Sequence, residues 1–75
     1  MEVEVKAIYR HFKGKDYMVE AVANDCETTE KVVVYRQLYG DTTKLWVRKL
    51  SDFVAILPER KDNITGQIHR FELVK

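Results

Sequence analysis

The stretch "EVEVKAIYRHFKGKDYMVEAVA", residues 2–23, decides the fold. Its first eight residues alternate, with Val3, Val5, Ala7 and Tyr9 set against Glu2, Glu4, Lys6 and Ile8. A period of two over this length predicts a half-buried strand. "KGKD" at 13–16 is a glycine-centred break, and "YMVEAVA" at 17–23 resumes the alternation, with Tyr17, Val19, Ala21 and Ala23 expected on one face. Two such runs about a short glycine loop predict a β-hairpin, with Gly14 at positive φ.

Working outward, "NDCETTE" (24–30) is polar and loop-like, and "KVVVYRQLY" (31–39) is β-branched and aromatic. "GDTT" (40–43) turns the chain again. "KLWVR" (44–48) alternates Leu45 and Val47 against Lys44, Trp46 and Arg48. In "LSDFVAILPER" (50–60), Ser51 is expected to cap a single helical turn, followed by a short strand that Pro58 ends. "QIHRFELVK" (67–75) closes as a last strand with Phe71 and Leu73 on one face.

The expected fold class is therefore all-β, a strongly bent antiparallel sheet of about five strands in one domain, 1–75, with at most one short helical turn. An SH3-like barrel, which hides sheet edges, ranks first among the arrangements. A bent sheet crossed by a short helix from 50–57 ranks second.

The chain of 75 residues carries thirteen Lys and Arg against twelve Asp and Glu, a formal net charge of +1. Such balance gives no long-range attraction to phosphate polymers. A nucleic-acid contact would have to come from a local patch. The lone cysteine, Cys26, forms no internal disulfide and has no metal-ligand spacing, which fits a reducing compartment. The start of the sequence lacks the pattern of a secretory signal, and no apolar run approaches the roughly 18 residues of a membrane span. The expectation is a cytoplasmic protein without membrane contact.

No nucleophile–base–orienter arrangement stands out. Cys26 and His11 are expected at opposite ends of a meander, and Ser51 reads as a cap, so the expectation is a protein that is not an enzyme. His11, Asp16, Asp41 and His69 lack the spacing of a closed metal site, so no metal and no cofactor are expected. "FKGKDY" has one glycine and no following helix to hold a phosphate.

The stronger signal is basic and aromatic. Loops one and three fall at one end of a meander, bringing His11, Lys13 and Lys15 toward Tyr39, Trp46 and Arg48. Loop two, at the other end, carries Asp25, Glu27 and Glu30. In its plainer reading Trp46 is core, with Lys44 and Arg48 snorkelling around it. In the functional reading Trp46 is a binding platform and Arg48 an anion or peptide contact. The favoured partner is a protein or peptide, with nucleic acid or a nucleotide at the basic-aromatic end as the alternative.

Read together, "YRHFKGKDYMVEAVA", "VVYRQLYGD", "LWVRKLSDF" and "RFELV" resemble the bacterial family catalogued as domain of unknown function 1653. The resemblance covers nearly the whole chain, in order. It implies a mostly β bacterial domain and no particular activity. Lys49 stands where the family has proline after Trp-Val-Arg, and "NDCETTEK" replaces a stretch commonly His-Ser-Glu-Thr, which makes Cys26 a poor candidate for a shared role.

Overall fold

The computed structural model describes residues 3–74, so Glu2 and Lys75, at the ends of two expected strands, lie outside the described residues. Five strands form one antiparallel sheet: β1 (Ile8–His11), β2 (Asp16–Asn24), β3 (Lys31–Gln37), β4 (Leu45–Lys49) and β5 (Phe71–Leu73), in the order β4-β3-β2-β1-β5. One helical turn, α1 (Leu50–Phe53), follows β4 directly. The sheet is open, with β4 and β5 at its edges. It does not close as the barrel arrangement requires, and the sheet with a short helical turn is the arrangement found.

Two irregularities reset the expected alternation. Lys6 has φ 64°, its N–H bonds the Val19 carbonyl at 2.7 Å, and the Val19 N–H bonds the Ala7 carbonyl at 3.0 Å. Two residues thus oppose one, a β-bulge that keeps the regular strand from starting before Ile8. A second bulge lies between Val19 and Ala21 in the pairing of β2 with β3. It leaves Glu20 as the extra residue and reverses the parity beyond it. Val22 pairs with buried Val33, while Ala21 and Ala23 pair with Val34 and Val32 on the opposite face. The single face expected for Tyr17, Val19, Ala21 and Ala23 therefore ends at Val19.

The core lies on one face of the sheet. Tyr9, Val19, Val33, Tyr35 and Phe71 come from four strands, and α1 lays Phe53 across them. Phe53 stacks flat on Phe71, with ring centroids 4.1 Å apart, and meets Tyr9 and Tyr35 edge-on. In so short a chain a few large rings supply the volume that longer chains fill with many aliphatics. Ser51 is not a cap: Lys49 holds the N-cap position of α1, and no side chain caps the turn. The expected strand after it reduces to one bridge, Ile56 to His69.

The opposite face mixes apolar side chains, Ile8, Met18, Val34 and Val47 among them, with a set of ion pairs. Glu20 accepts from Lys6 at 2.5 Å and from Arg36 at 2.9 Å, and Arg10 pairs with Asp16 at 2.8 Å. These partners hold the Glu20 carboxyl below its ordinary pKa. Leu45 and Val47 belong to this face and are exposed, whereas Trp46 and Arg48 pair with buried Tyr35 and Val33 on the core face. The more apolar side of β4 is thus the one turned to water.

Candidate functional site

The β1–β2 loop forms as the glycine break predicts. His11 donates its N–H to the Lys15 carbonyl at 2.8 Å, and Gly14 donates to the His11 carbonyl at 2.8 Å. Gly14 has φ 96°, so the pattern is that of a three-residue hairpin loop ending in a left-handed residue. The turn tucks Phe12 inward rather than out, leaving it 1% exposed. The imidazole of His11 contacts two rings, with centroids 4.2 Å from Phe12 and 4.9 Å from Phe71.

Cations gather on these rings. Arg60 lies 4.7 Å, Arg70 5.8 Å and Lys13 6.0 Å from the Phe12 centroid, and Arg48 lies 5.9 Å from that of Phe71. Asp62 pairs with Arg60 at 2.6 Å and lies 3.9 Å from Lys13. Arg48 donates to the Tyr35 hydroxyl at 3.4 Å. The buried Nε of Arg70 has no hydrogen-bond partner among the described residues. Burial first, then the charges of Arg48, Arg70, Lys13 and Arg60, lower the pKa of His11 to about 4. Nδ1 of His11 accepts the Lys13 N–H at 3.1 Å, so the neutral ring carries its proton on Nε2.

A second group adjoins the first. The hydroxyls of Tyr17 and Tyr39 lie 2.5 Å apart, and Lys15 sits 5.1 Å from the Tyr39 ring centroid. Burial, then the hydrogen bond with Tyr39, raises the Tyr17 pKa. Tyr17 meets both Tyr35 and Phe71 edge-on, which ties the two groups together. Gln37, buried at 6% exposure, accepts the Trp46 indole N–H at 2.9 Å and donates to the Tyr39 carbonyl at 3.1 Å. Trp46 itself is 45% exposed, so it is not core.

His11, Lys13, Lys15, Tyr39, Trp46 and Arg48, the residues singled out from the sequence, all belong to this chain of contacts. Lys13 and Trp46 stand at its two ends, with no shared neighbour in the contacts described above. Sequence reasoning missed Phe12, Arg60, Arg70 and Gln37. Gln37 carried a signal, because a polar residue two places after Tyr35 falls on the core face of β3. Arg60 and Arg70 carried none, since both reach the site from irregular backbone between α1 and β5.

Shape and chemistry do not coincide here. A concavity of about 440 Å³ lies instead between β3 and α1, lined by Glu30, Lys31, Lys49, Leu50 and Ser51, and another, of about 380 Å³ and lined by Glu59, Arg60 and Lys61, meets the aromatic-basic patch only at Arg60. Flat surfaces carry protein contacts, whereas small molecules need enclosure. Among the described residues no three His, Cys, Asp or Glu side chains cluster to hold a metal, and no helix is long and apolar enough to cross a membrane. Cys26 is exposed in the turn between β2 and β3, at the far end of β2 from His11.

Comparison with known proteins accords with this architecture. A family model described as protein of unknown function (DUF1653) matches residues 7–73. The crystal structure of a DUF1653 protein from Bordetella bronchiseptica is similar to the whole domain, with a TM-score of 0.75 and 30% sequence identity. The match covers 95% of this chain and 87% of that one. No functionally curated protein matches.

Proposed function

We propose that this chain, which belongs to the DUF1653 family, is a non-enzymatic module that binds an extended, acidic segment of a protein partner along β4. The observation that carries the reading is the state of that strand. Among the described residues it pairs only with β3, and Leu45, Trp46 and Val47 are 58%, 45% and 65% exposed. An edge strand offers unpaired backbone groups that a second strand completes, while side-chain contacts set the preference. Lys44, Arg48 and Lys49 surround the edge, and of these only Lys49 forms a described ion pair, with Glu30 at 3.4 Å. Positive charge there repels like edges and favours an acidic strand.

The reading makes no use of a nucleophile, and the exposed thiol of Cys26 fits a cytoplasmic setting. Selection from a random peptide library, followed by amide chemical-shift mapping, tests it. Acidic, β-prone peptides that perturb Leu45–Lys49 and lose binding on Trp46→Ala support it. Enriched peptides that map to another surface, or no enrichment, overturn it.

The crowding of Lys13, Arg48, Arg60 and Arg70 about aromatic rings favours a second reading, binding of single-stranded nucleic acid or a nucleotide by stacking and phosphate contacts. Oligonucleotide affinity that falls steeply with salt would replace the peptide reading.

A further inference from the structure

We propose that Arg48 and Arg70, gathered about His11 and its two ring neighbours, form a subsite for one compact oxyanion, a carboxylate or a tetrahedral phosphate-type group. The inference goes beyond the peptide reading and stands without it, because the ion itself is the probe.

The first support is charge count. Four cations, Lys13, Arg48, Arg60 and Arg70, converge on Phe12 and Phe71, and the carboxylate described beside them, Asp62, is engaged by Arg60 and Lys13. Arg48 and Arg70 form no ion pair among the described residues. The second is an unmet donor. A buried N–H without an acceptor is destabilising, and the Nε of Arg70 is in that state among the described residues. Cation–π packing on Phe12 explains where the guanidinium lies but gives that N–H no acceptor. A planar guanidinium suits the two oxygens of a carboxylate or phosphate. The third is His11, whose neutral ring keeps a proton on Nε2 because Nδ1 accepts from Lys13.

The groups facing His11 are Lys13 from the loop, Arg60 with Asp62 from the segment after α1, Arg70 before β5, and Arg48 from β4, with the hydroxyls of Tyr17 and Tyr35 beyond Phe71. The cations oppose its protonation. An anion among them reverses that repulsion, so binding raises the pKa of His11.

The intact protein is titrated at neutral pH with sodium sulfate and, separately, sodium acetate, with sodium chloride at matched ionic strength as the control. The ring signals of His11 and the Nε–H signals of Arg48 and Arg70 are followed by NMR. Saturating shifts with sulfate assign a tetrahedral anion, and with acetate a carboxylate; either supports the subsite. Arg48→Gln and Arg70→Gln are each expected to weaken binding about tenfold, the effect of losing a charge-assisted donor, while Lys31→Gln leaves it unchanged. Should Arg70→Gln fail to fold, Arg48→Gln decides. Where sulfate binds, the His11 pKa rises relative to chloride. Shifts no greater than the chloride control in both salts overturn the proposal, as does bound sulfate with an unmoved His11 pKa. Peptide binding at β4 is read on the backbone amides of Leu45–Lys49, and ion binding on the His11 ring and the Arg70 Nε–H, which lie outside β4, so the two proposals fail separately.

Discussion

The indole N–H of Trp46 donates to Oε1 of Gln37 at 2.9 Å while nearly half of the side chain stays open to solvent. A buried polar group therefore holds an exposed aromatic one. Gln37 is fixed in turn by its bond to the Tyr39 carbonyl, so the indole is oriented without being enclosed.

Trp46→Ala should leave a folded protein, costing about 1–2 kcal/mol for a lost hydrogen bond and partial burial. That is well short of the roughly 3–5 kcal/mol of an enclosed tryptophan. The denaturant midpoint measures the difference, and an unfolded variant would show the indole to be structural.

Phe53→Ala should cost about 3–5 kcal/mol, enough to unfold much of a small domain. Phe53 is fully buried and stacks on Phe71 while touching Tyr9 and Tyr35. A loss below about 1 kcal/mol, the scale of a surface change, would mean that α1 does not cover the core in solution.

Gly14→Val should destabilise by roughly 1 kcal/mol or more, because a β-branched residue is strained at positive φ. Its Cβ would also meet Ile64 Cδ1 at 3.2 Å. Ile64 is an exposed side chain that can yield, so the backbone term dominates. An unchanged midpoint in chemical denaturation would place the turn elsewhere.

Stability should fall as pH drops from about 6.5, the ordinary histidine value, toward the folded-state value of His11, about 4. The sign follows from proton counts. His11 is neutral in the folded protein across this window and protonated in the unfolded chain, so acid favours unfolding. Asp25, Asp41 and Asp62, whose pKa values are lowered by hydrogen bonds accepted from the Glu27 backbone N–H, from Thr43 and from the Arg60 guanidinium respectively, add to the loss at lower pH. His11→Asn keeps an acceptor for the Lys13 N–H and should flatten the profile above pH ~5. A wild-type profile already flat there would contradict the shift.

What could be read before folding was local. Period-two alternation located the cores of β2 and β4, β-branched and aromatic residues located β3, and the Lys13-Gly14-Lys15 turn emerged with the expected positive φ. Alternation cannot show a bulge, because an extra residue such as Glu20 leaves composition and hydropathy unchanged while reversing every face beyond it. Nor could it tell which side of β4 meets water, since that depends on α1 returning over the Trp46 side of the sheet. The site was legible as far as its residues lay on regular strands or beside a glycine turn. Phe12, Arg60 and Arg70 escaped because loop geometry brings them to His11, and loop geometry carries no period.

The position of β5 has a further consequence, in the order of assembly. Strands β1 to β4 pair with neighbours in sequence, but β5 pairs with β1, joining His11 to Phe71 about sixty positions later. Closing so long a loop is entropically slow compared with forming a hairpin. Until it closes, Phe53 lacks its stacking partner and Ile8–His11 is itself an open edge. During synthesis the nascent sheet therefore passes through a stage with the outer sides of both β1 and β4 open, and the emergence of Phe71–Leu73 covers that of β1.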